Sequence, residues 1–183
     1  PRTLSITPSP LVKICPDCPP TVTLTASPVT GFTNFQWYQN GVAIPLATNT
    51  TYLLCNFNAS GTYYVTADDT QNNSCKSKSA PVQVVYLPKP LALIEGQSVQ
   101  CVSGASPYSI YVQNNGGPNP GYTYNWTATG PGTVTFSPDN LQYYANCTVS
   151  QVGTYQFILN VTDSNGCRAS DTFCVYVYLS PTL

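Results

Sequence analysis

The stretch Gly153–Thr162, which reads GTYQFILNVT, alternates large apolar side chains with polar ones. Four of the apolar side chains fall on one face of an extended chain: Tyr155, Phe157, Leu159 and Val161. Gln156 and Asn160 fall on the other face. This period of two predicts a β-strand with one face in a core and one face in solvent.

The same kind of stretch occurs earlier, because a shift of 92 residues superimposes Gly61-Thr62-Tyr63 on Gly153-Thr154-Tyr155. The match continues without a gap through Tyr52 on Tyr144, Cys55 on Cys147, Asn73 on Asn165, Cys75 on Cys167 and Val85-Tyr86-Leu87 on Val177-Tyr178-Leu179. Upstream the shift falls to 89 for Trp37 on Trp126 and to 86 for Cys15 on Cys101. We therefore predict two copies of one module that differ in loop length.

Each copy consists of short alternating segments separated by turn residues, without a helical period. Six or more short strands in about 90 residues predict a β-sandwich. The expected fold class is therefore all-β, with two tandem sandwich domains over residues 1–87 and 88–183. The join, Leu87-Pro88-Lys89-Pro90-Leu91, has the composition of a short, semi-rigid spacer.

Charge is scarce in this chain: 7% of its 183 residues are charged, the net charge is −1, and there is no His. The lack of a run of basic residues excludes electrostatic binding to nucleic-acid phosphates. No apolar run is long enough to span a membrane. Without His, the Ser-His-Asp, Cys-His and His-metal arrangements cannot form within the chain. We therefore expect no enzyme, no catalytic residue, no cofactor and no metal site.

The carboxylates leave calcium open as a minor alternative. Oxygen-bearing side chains cluster in one turn of each copy: Asp68, Asp69, Asn72 and Asn73 in the first, and Asp163, Asn165 and Asp171 in the second. Calcium takes about six to eight oxygen ligands, whereas Asp and Asn also serve simply to reverse the chain. A glycosidase would need two carboxylates across a cleft, and these lie in scattered turns.

Eight cysteines, four in each half, predict disulfides and an oxidising compartment. Their positions beside the predicted strands suggest the pairs Cys15–Cys75, Cys101–Cys167, Cys18–Cys55 and Cys147–Cys174. Four cysteines allow three pairings in each module, so other connectivities stay open. A zinc knuckle at Cys15-Pro-Asp-Cys18 is the rival interpretation, and the second copy has no matching C-x-x-C.

The last strand of each copy can be given an inner face by the same alternation. In the first copy Gln83 should face solvent, which turns Val82, Val84 and Tyr86 towards the core. The 92-residue shift carries this assignment to the second copy. It predicts that Cys174, Tyr176 and Tyr178 also face inward.

The aromatic residues divide into core and surface groups. Trp37 and Trp126 stand on the third predicted strand, where a sandwich buries a tryptophan, and Tyr63 and Tyr155 are typical of a tyrosine corner. Four other tyrosines are expected to face outward and are the candidates for stacking on a ligand: Tyr38, Tyr64, Tyr111 and Tyr143. Tyr rings stack well on sugars, although the preference of Tyr for sheets is the simpler explanation.

Several segments resemble a known family. Residues 35–45, FQWYQNGVAIP, followed by SGTYYVT at 60–66, resemble the immunoglobulin-like repeats of secreted Bacteroidota surface proteins. In the second copy YNW at 124–126 and NVTDSNGC at 160–167 are similar to the PKD-like repeats of the same proteins. The resemblance implies two tandem immunoglobulin-like or PKD-like β-sandwiches stapled by disulfides. Such modules occur in arrays exported by the type IX system, in adhesins, gliding-motility proteins and enzyme tails.

The same resemblance implies a non-catalytic structural or adhesive module of an extracellular stalk or filament at the cell surface. Its expected partners are neighbouring modules or copies of the same protein, and surface polysaccharide. The alternative is a carbohydrate-binding module that accompanies a secreted enzyme. Because the chain contains no Met, we expect a mature or excised piece of a longer protein.

Overall fold

The structure is a computed structural model that describes residues 2–16, 22–54, 60–71 and 75–181. The chain divides into two compact units, Pro1–Pro88 and Lys89–Leu183, one residue from the boundary expected from the sequence. Every regular element among the described residues is a β-strand, so the prediction of an all-β fold is confirmed. None of the described segments is a helix with the length and hydropathy needed to cross a bilayer.

In its described residues the first unit contains nine strands: β1 (Ser5–Thr7), β2 (Leu11–Ile14), β3 (Val22–Ser27), β4 (Phe32–Gln39), β5 (Val42–Ala43), β6 (Thr51–Leu54), β7 (Gly61–Asp69), β8 (Cys75–Lys78) and β9 (Val82–Tyr86). One sheet has the order β1-β3-β6. The other has the order β2-β9-β7-β4-β5, with β8 also paired to β7. Leu24 and Leu54 from the first sheet and Trp37 and Val65 from the second belong to one core.

Between residues 89 and 181, the described part of the second unit, there are eight strands: β10 (Ile94–Gly96), β11 (Val99–Val102), β12 (Tyr108–Asn114), β13 (Thr123–Thr129), β14 (Val134–Phe136), β15 (Tyr144–Val149), β16 (Gly153–Thr162) and β17 (Arg168–Leu179). They form two sheets, in the orders β10-β12-β15-β14 and β11-β17-β16-β13. Ile110 and Val112 from the first sheet and Trp126 from the second share a separate core.

The predicted core positions are confirmed in both units. The four alternating apolar residues of β16 are fully buried: Tyr155, Phe157, Leu159 and Val161. Trp37 and Trp126 are fully buried as well. Each indole N–H donates to a backbone carbonyl at 2.9 Å, that of Asn49 for Trp37 and that of Gln142 for Trp126. The two tryptophans therefore serve the core and offer no ring face to a ligand.

The tyrosine corner is confirmed in the second unit, where the Tyr155 hydroxyl donates to the carbonyl oxygen of Gln151 at 2.8 Å. Tyr63 occupies the matching position on β7 and is fully buried. Burial raises the pKa of Tyr63, and the neighbouring Tyr52 and Tyr86 raise it further. The Tyr63 phenol therefore remains a neutral part of the core.

The inward assignment of Cys174, Tyr176 and Tyr178 is wrong. The residues of β17 that are fully buried are Val175 and Val177, whereas Tyr178 is about half exposed. In the first unit Val82 and Val84 do face the core, as predicted. The cause is register, because a displacement by one residue turns every side chain of a strand to its other face.

The displacement originates in the hairpin before the last strand. Asp69 pairs with Cys75 in the first unit, whereas the matching Val161 pairs with Ala169, two residues beyond Cys167. Between β8 and β9 the register of the first unit shifts by one residue, from Thr66 with Lys78 to Tyr63 with Val82. A difference of one residue in register therefore remains between the last strands of the two units. The gapless 92-residue match therefore ends at this turn.

Two of the predicted disulfides would have to join opposite ends of a sheet. Cys15 follows Ile14, which lies opposite Tyr86 near the start of β7, whereas Cys75 pairs with Asp69 at the end of β7. Eight residues of strand span roughly 26 Å at about 3.3 Å per residue, and a disulfide needs Cα atoms within about 7 Å. Cys75 is unbonded, so the pair Cys15–Cys75 is wrong.

The same geometry separates Cys101 from Cys167. Cys101 lies opposite Tyr178, near the start of β16, and Cys167 lies in the turn after its end. Cys101 is unbonded and exposed, so this pair is wrong too. Cys15 and Cys167 are each disulfide-bonded, so the expectation that the chain carries disulfides is confirmed.

The pair Cys147–Cys174 is also wrong, since both residues are unbonded. Cys147 is buried on β15 in one sheet, whereas Cys174 lies on β17 in the other sheet and alternates with the buried Val175. Cys174 therefore faces away from the core that contains Cys147. The remaining predicted pair, Cys18–Cys55, lies outside the described residues.

Candidate functional site

The outer face of the first unit carries a tyrosine stack, defined as Tyr38, Tyr64 and Lys78. Tyr38 on β4 lies directly opposite Tyr64 on β7. Their rings are nearly parallel at 7°, with centroids 4.7 Å apart, and Lys78 Nζ lies 3.9 Å from the Tyr64 ring centroid. Tyr38 and Lys78 thus cover the two faces of the Tyr64 ring. Tyr64 has no ring face left for a ligand, so its assignment as a stacking residue is not supported.

The outer face of the second unit carries a different group of tyrosines. Tyr111 on β12 is 47% exposed, and its ring lies 6.0 Å from that of Tyr144, at 25°. Tyr143 instead packs against the core and meets the Tyr144 ring edge-on at 5.2 Å. Tyr111 faces outward as predicted. The prediction that Tyr143 faces outward is wrong, because its neighbour Tyr144 does so instead. The alternation of β15 explains this, since Ala145 and Cys147 are buried.

A groove of about 340 Å³ opens beside Tyr111, and we call it the edge groove. It is lined by Glu95, Gly96, Gln97, Gln100, Tyr111 and Gln113. Here the chain leaves β10, at the edge of one sheet, and enters β11, at the edge of the other. The volume lies at the lower end of the range of about 300 to 1,000 Å³ that small-molecule sites occupy.

Close approach of β10 and β12 shapes one wall of the edge groove. A Cβ atom on Gly96 would lie 2.8 Å from Val112 Cγ1 and 3.1 Å from the Tyr111 carbonyl oxygen. A side chain here would therefore push β10 away from β12. Gly96 pairs with Val112, and the preceding Glu95 pairs with Gln113, which brings a carboxylate and an amide to the same end of the groove.

The polar groups of the edge groove are partly engaged with one another. The Tyr111 hydroxyl donates to Gln113 Oε1 at 3.1 Å, and the Glu95 carboxylate accepts a short hydrogen bond from the Asn115 amide. Desolvation raises the pKa of Tyr111, and Tyr143 and Tyr144 raise it further. The Tyr111 hydroxyl therefore stays protonated and able to donate.

Gln100 is the exception among these polar groups. Its Oε1 atom is buried and has no hydrogen-bond partner among the described residues. Leaving a buried polar group without a partner costs about 1 to 3 kcal/mol. In the first unit the matching position is Val12: Val12 pairs with Val84 beside Gly61, and Gln100 pairs with Val177 beside Gly153. An amide thus replaces a buried valine at the groove.

Three residues of the edge groove were not predicted from the sequence: Gln97, Gln100 and Gln113. A shift of 88 residues, rather than 86, aligns β1 and β2 with β10 and β11, and it places Gln100 on Val12 and Tyr111 on Thr23. A polar residue at a position that is apolar in the other copy was therefore the available signal. It was hidden because the alignment relied on Cys15 and Cys101, which are not equivalent in the structure.

The carboxylates considered for calcium bind groups of the chain itself. Asp68 accepts hydrogen bonds from Asn34 Nδ2 at 2.9 Å and Lys76 Nζ at 3.0 Å, and these two groups lower the pKa of Asp68. Asp163 accepts from two backbone N–H groups of its own turn, and Asp171 accepts from that of Ile94 at 2.7 Å. Within the described ranges, no three His, Cys, Asp or Glu side chains form a group that could hold a metal. Asn72 and Asn73 lie outside the described residues.

A comparison with known protein families finds a match to the first unit. The family described as "Ig-like domain CHU_C associated" matches residues 1–88. No curated protein matches the chain.

Among solved structures, the chain is similar to the fibronectin(III)-like modules of Clostridium thermocellum CbhA, at 14% identity and a TM-score of 0.43, over 97% of this chain and 95% of that one. It is also similar to three N-terminal domains of the outer capsid protein Hoc of bacteriophage RB49, at 16% identity and a TM-score of 0.43, over 96% of this chain and 59% of that one. A third similarity is to the PKD domain of the KIAA 1837 protein, at 20% identity and a TM-score of 0.39, over 53% of this chain and 98% of that one.

The resemblance seen in the sequence is thereby confirmed at the level of the repeat. Residues 1–88 match the CHU_C-associated immunoglobulin-like domain family, and the chain is a tandem pair of immunoglobulin-like β-sandwich repeats.

Proposed function

We propose that the chain is a non-catalytic structural and adhesive module of an extracellular surface protein, stalk or filament. The observation that carries this proposal is the parallel pairing of the second strand with the last strand in each unit. In the first unit β2 pairs with β9, and in the second unit β11 pairs with β17. The disulfide-bonded state of Cys15 and Cys167 supports an oxidising, extracellular location.

Parallel terminal strands suit a module that bears load. A pull on the two ends of such a unit slides the paired strands along each other, and the evenly spaced bonds of a parallel ladder are then loaded together. Two backbone bonds close these ladders: Leu87 N–H to the Ile14 carbonyl at 2.9 Å, and Ser180 N–H to the Val102 carbonyl at 2.7 Å. We therefore expect both units to resist extension.

Single-molecule force spectroscopy of the full chain, pulled through its ends, tests this function. Leu87→Pro and Ser180→Pro each remove one of the two closing N–H donors, and each should lower the unfolding force of its own unit. Leu87→Ala and Ser180→Ala keep the N–H and are the matched controls. Units that extend at low force, with no difference between the Pro and Ala variants, would contradict a load-bearing role.

The adhesive part of the proposal involves neighbouring modules or further copies of the protein as partners. On the outer face of β11 and β17, Val99, Tyr176 and Tyr178 are exposed side by side, and β11 is an edge strand. Exposed apolar patches and unpaired strand edges are common sites of association. Sedimentation should show self-association that Tyr178→Lys weakens; a chain that stays monomeric at high concentration would argue against copies as partners.

A carbohydrate-binding module beside a secreted enzyme is the second candidate. The edge groove favours it, because a partly exposed tyrosine ring stands there among amide groups. The first candidate predicts units that resist force and associate with one another, whereas the second predicts that the chain binds a polysaccharide.

A further inference from the structure

We propose that the edge groove of the second unit binds a neutral sugar unit of a polysaccharide. The inference rests on the proposed function, since it gives the adhesive module a ligand. Tyr111 supplies the stacking face, and Gln97, Gln100 and Gln113 supply the hydrogen bonds. The corresponding positions of the first unit lack this chemistry, so the site belongs to the second repeat alone.

The composition of the groove selects the class of ligand. Three of its six residues carry amides, which both donate and accept, as sugar hydroxyls do. The lining contains no Lys or Arg, and its one carboxylate, Glu95, already accepts from Asn115. A phosphate or an anionic sugar would therefore meet a negative group and no positive one. A neutral, hydroxyl-rich ring fits this set of groups.

Tyr111 is placed to stack on such a ring. It is 47% exposed on the groove wall, and its hydroxyl is anchored by Gln113. A tyrosine with a fixed hydroxyl loses little conformational freedom on binding, and its flat apolar face matches the C–H face of a pyranose. Its ring also lies 6.0 Å from that of Tyr144, which limits its motion further.

Gln100 is the second, independent indication of a ligand. Its buried oxygen has no partner among the described residues, at a position that the first unit fills with Val12. Gln100 lines the edge groove, so a sugar hydroxyl bound beside it can donate to this oxygen and satisfy it. Stability alone would favour valine here, as in the first repeat.

Native electrophoresis of the full chain in gels that contain a neutral polysaccharide tests this proposal. The probes are laminarin, hydroxyethylcellulose, soluble starch, galactomannan and xylan, with polygalacturonate as the anionic counterpart. Retardation by at least one neutral polysaccharide, and none by polygalacturonate, is the expected result. Isothermal titration with the matching oligosaccharide then gives the affinity.

Three variants assign the binding to the edge groove. Tyr111→Ala and Gln100→Val should each weaken binding at least tenfold. Leu141→Ala should leave it unchanged, because Leu141 is 58% exposed in the same unit and does not line the edge groove. Gln100→Val imitates the first repeat and should fold at least as well as the parent chain, so its loss of binding cannot come from misfolding.

Two results would overturn the proposal. One is the absence of retardation by every neutral polysaccharide, and the other is binding that survives both Tyr111→Ala and Gln100→Val. Neither result touches the pulling experiment, so a module that resists force but binds no sugar would remove this inference and leave the load-bearing function standing.

Discussion

The two repeats have separate cores of the same design and differ at one edge of the sandwich. Both bury a tryptophan whose indole donates to a backbone carbonyl, and both pair their second strand with their last strand in parallel. Near that edge, however, the first repeat has Val12 where the second has Gln100, and it has Thr23 where the second has Tyr111. The difference teaches that a few substitutions near the edge of a sandwich can change the surface groups there without altering the pattern that folds it.

The largest expected effect comes from the shared core. Trp37→Ala and Trp126→Ala should each destabilise their own unit by about 3 to 5 kcal/mol, because each removes a fully buried ring from a packed core. Denaturant unfolding measures the loss. If the units are energetically separate, each substitution should leave the other unit's transition in place.

The rate of chemical labelling of Cys147 reports how often the second unit opens. It is buried and unbonded, and burial raises the pKa of its thiol to about 12, so it should react with iodoacetamide only when that unit opens. Trp126→Ala should accelerate this labelling and Trp37→Ala should not. Equal acceleration by both variants would show that the two cores are coupled.

A reciprocal exchange at the edge strand tests the difference between the repeats directly. Gln100→Val should stabilise the second unit, and Val12→Gln should destabilise the first, each by about 1 to 3 kcal/mol, because the buried amide oxygen lacks a partner. Calorimetry of the two variants and of the double exchange measures both changes. Destabilisation by Gln100→Val would mean that the amide is satisfied and that the comparison is mistaken.

A smaller effect on stability is expected at the tyrosine stack of the first unit. Lys78→Ala should destabilise the first unit by about 0.5 to 1 kcal/mol, since it removes a cation from the face of Tyr64. Lys78→Arg keeps a cation there and should recover most of the loss. Thermal melting of the two variants checks the expectation, and equal melting temperatures for Ala and Arg would argue against the contact.

The smallest expected effect is a dependence on pH that belongs to the first unit. Hydrogen bonds from Asn34 and Lys76 lower the pKa of Asp68 in the folded state. Its contribution to stability is therefore complete above the unfolded pKa of about 4 and is lost as the pH falls through the folded value. Between pH 5 and pH 3, Asp68→Asn should flatten the decline in stability. An unchanged pH profile would show that the site contributes nothing.

The sequence predicted what depends on alternation within one strand. The inner face of β16, the two buried tryptophans and the tyrosine corner at Tyr155 follow from local pattern, because neighbouring side chains of a strand must point to opposite faces. The face of β17 does not follow. It depends on where the preceding turn lies: the turn between Thr162 and Arg168 has the same length as the turn between Asp69 and Cys75, but it lies one residue later in the 92-residue alignment.

The disulfide pairing and the groove could not be predicted from alternation within a strand, for a related reason. Whether Cys15 can reach Cys75 depends on which end of the sheet each one occupies, and sequence spacing alone does not show that. Gln100 belongs to the groove because β11 leaves the sheet of β10 and pairs with β17. Both questions concern where strands lie in space, whereas alternation reports only which way a side chain faces.

The parallel arrangement of terminal strands also bears on how such chains grow. Because β2 and β9 run in the same direction, as do β11 and β17, each repeat receives the chain at one end of its sheet and releases it at the other. A gene duplication can therefore join a new copy to the old one without a long return loop. Each added copy then arrives with its own edge strand, where a substitution like that at Gln100 can give one repeat a role that its neighbour lacks.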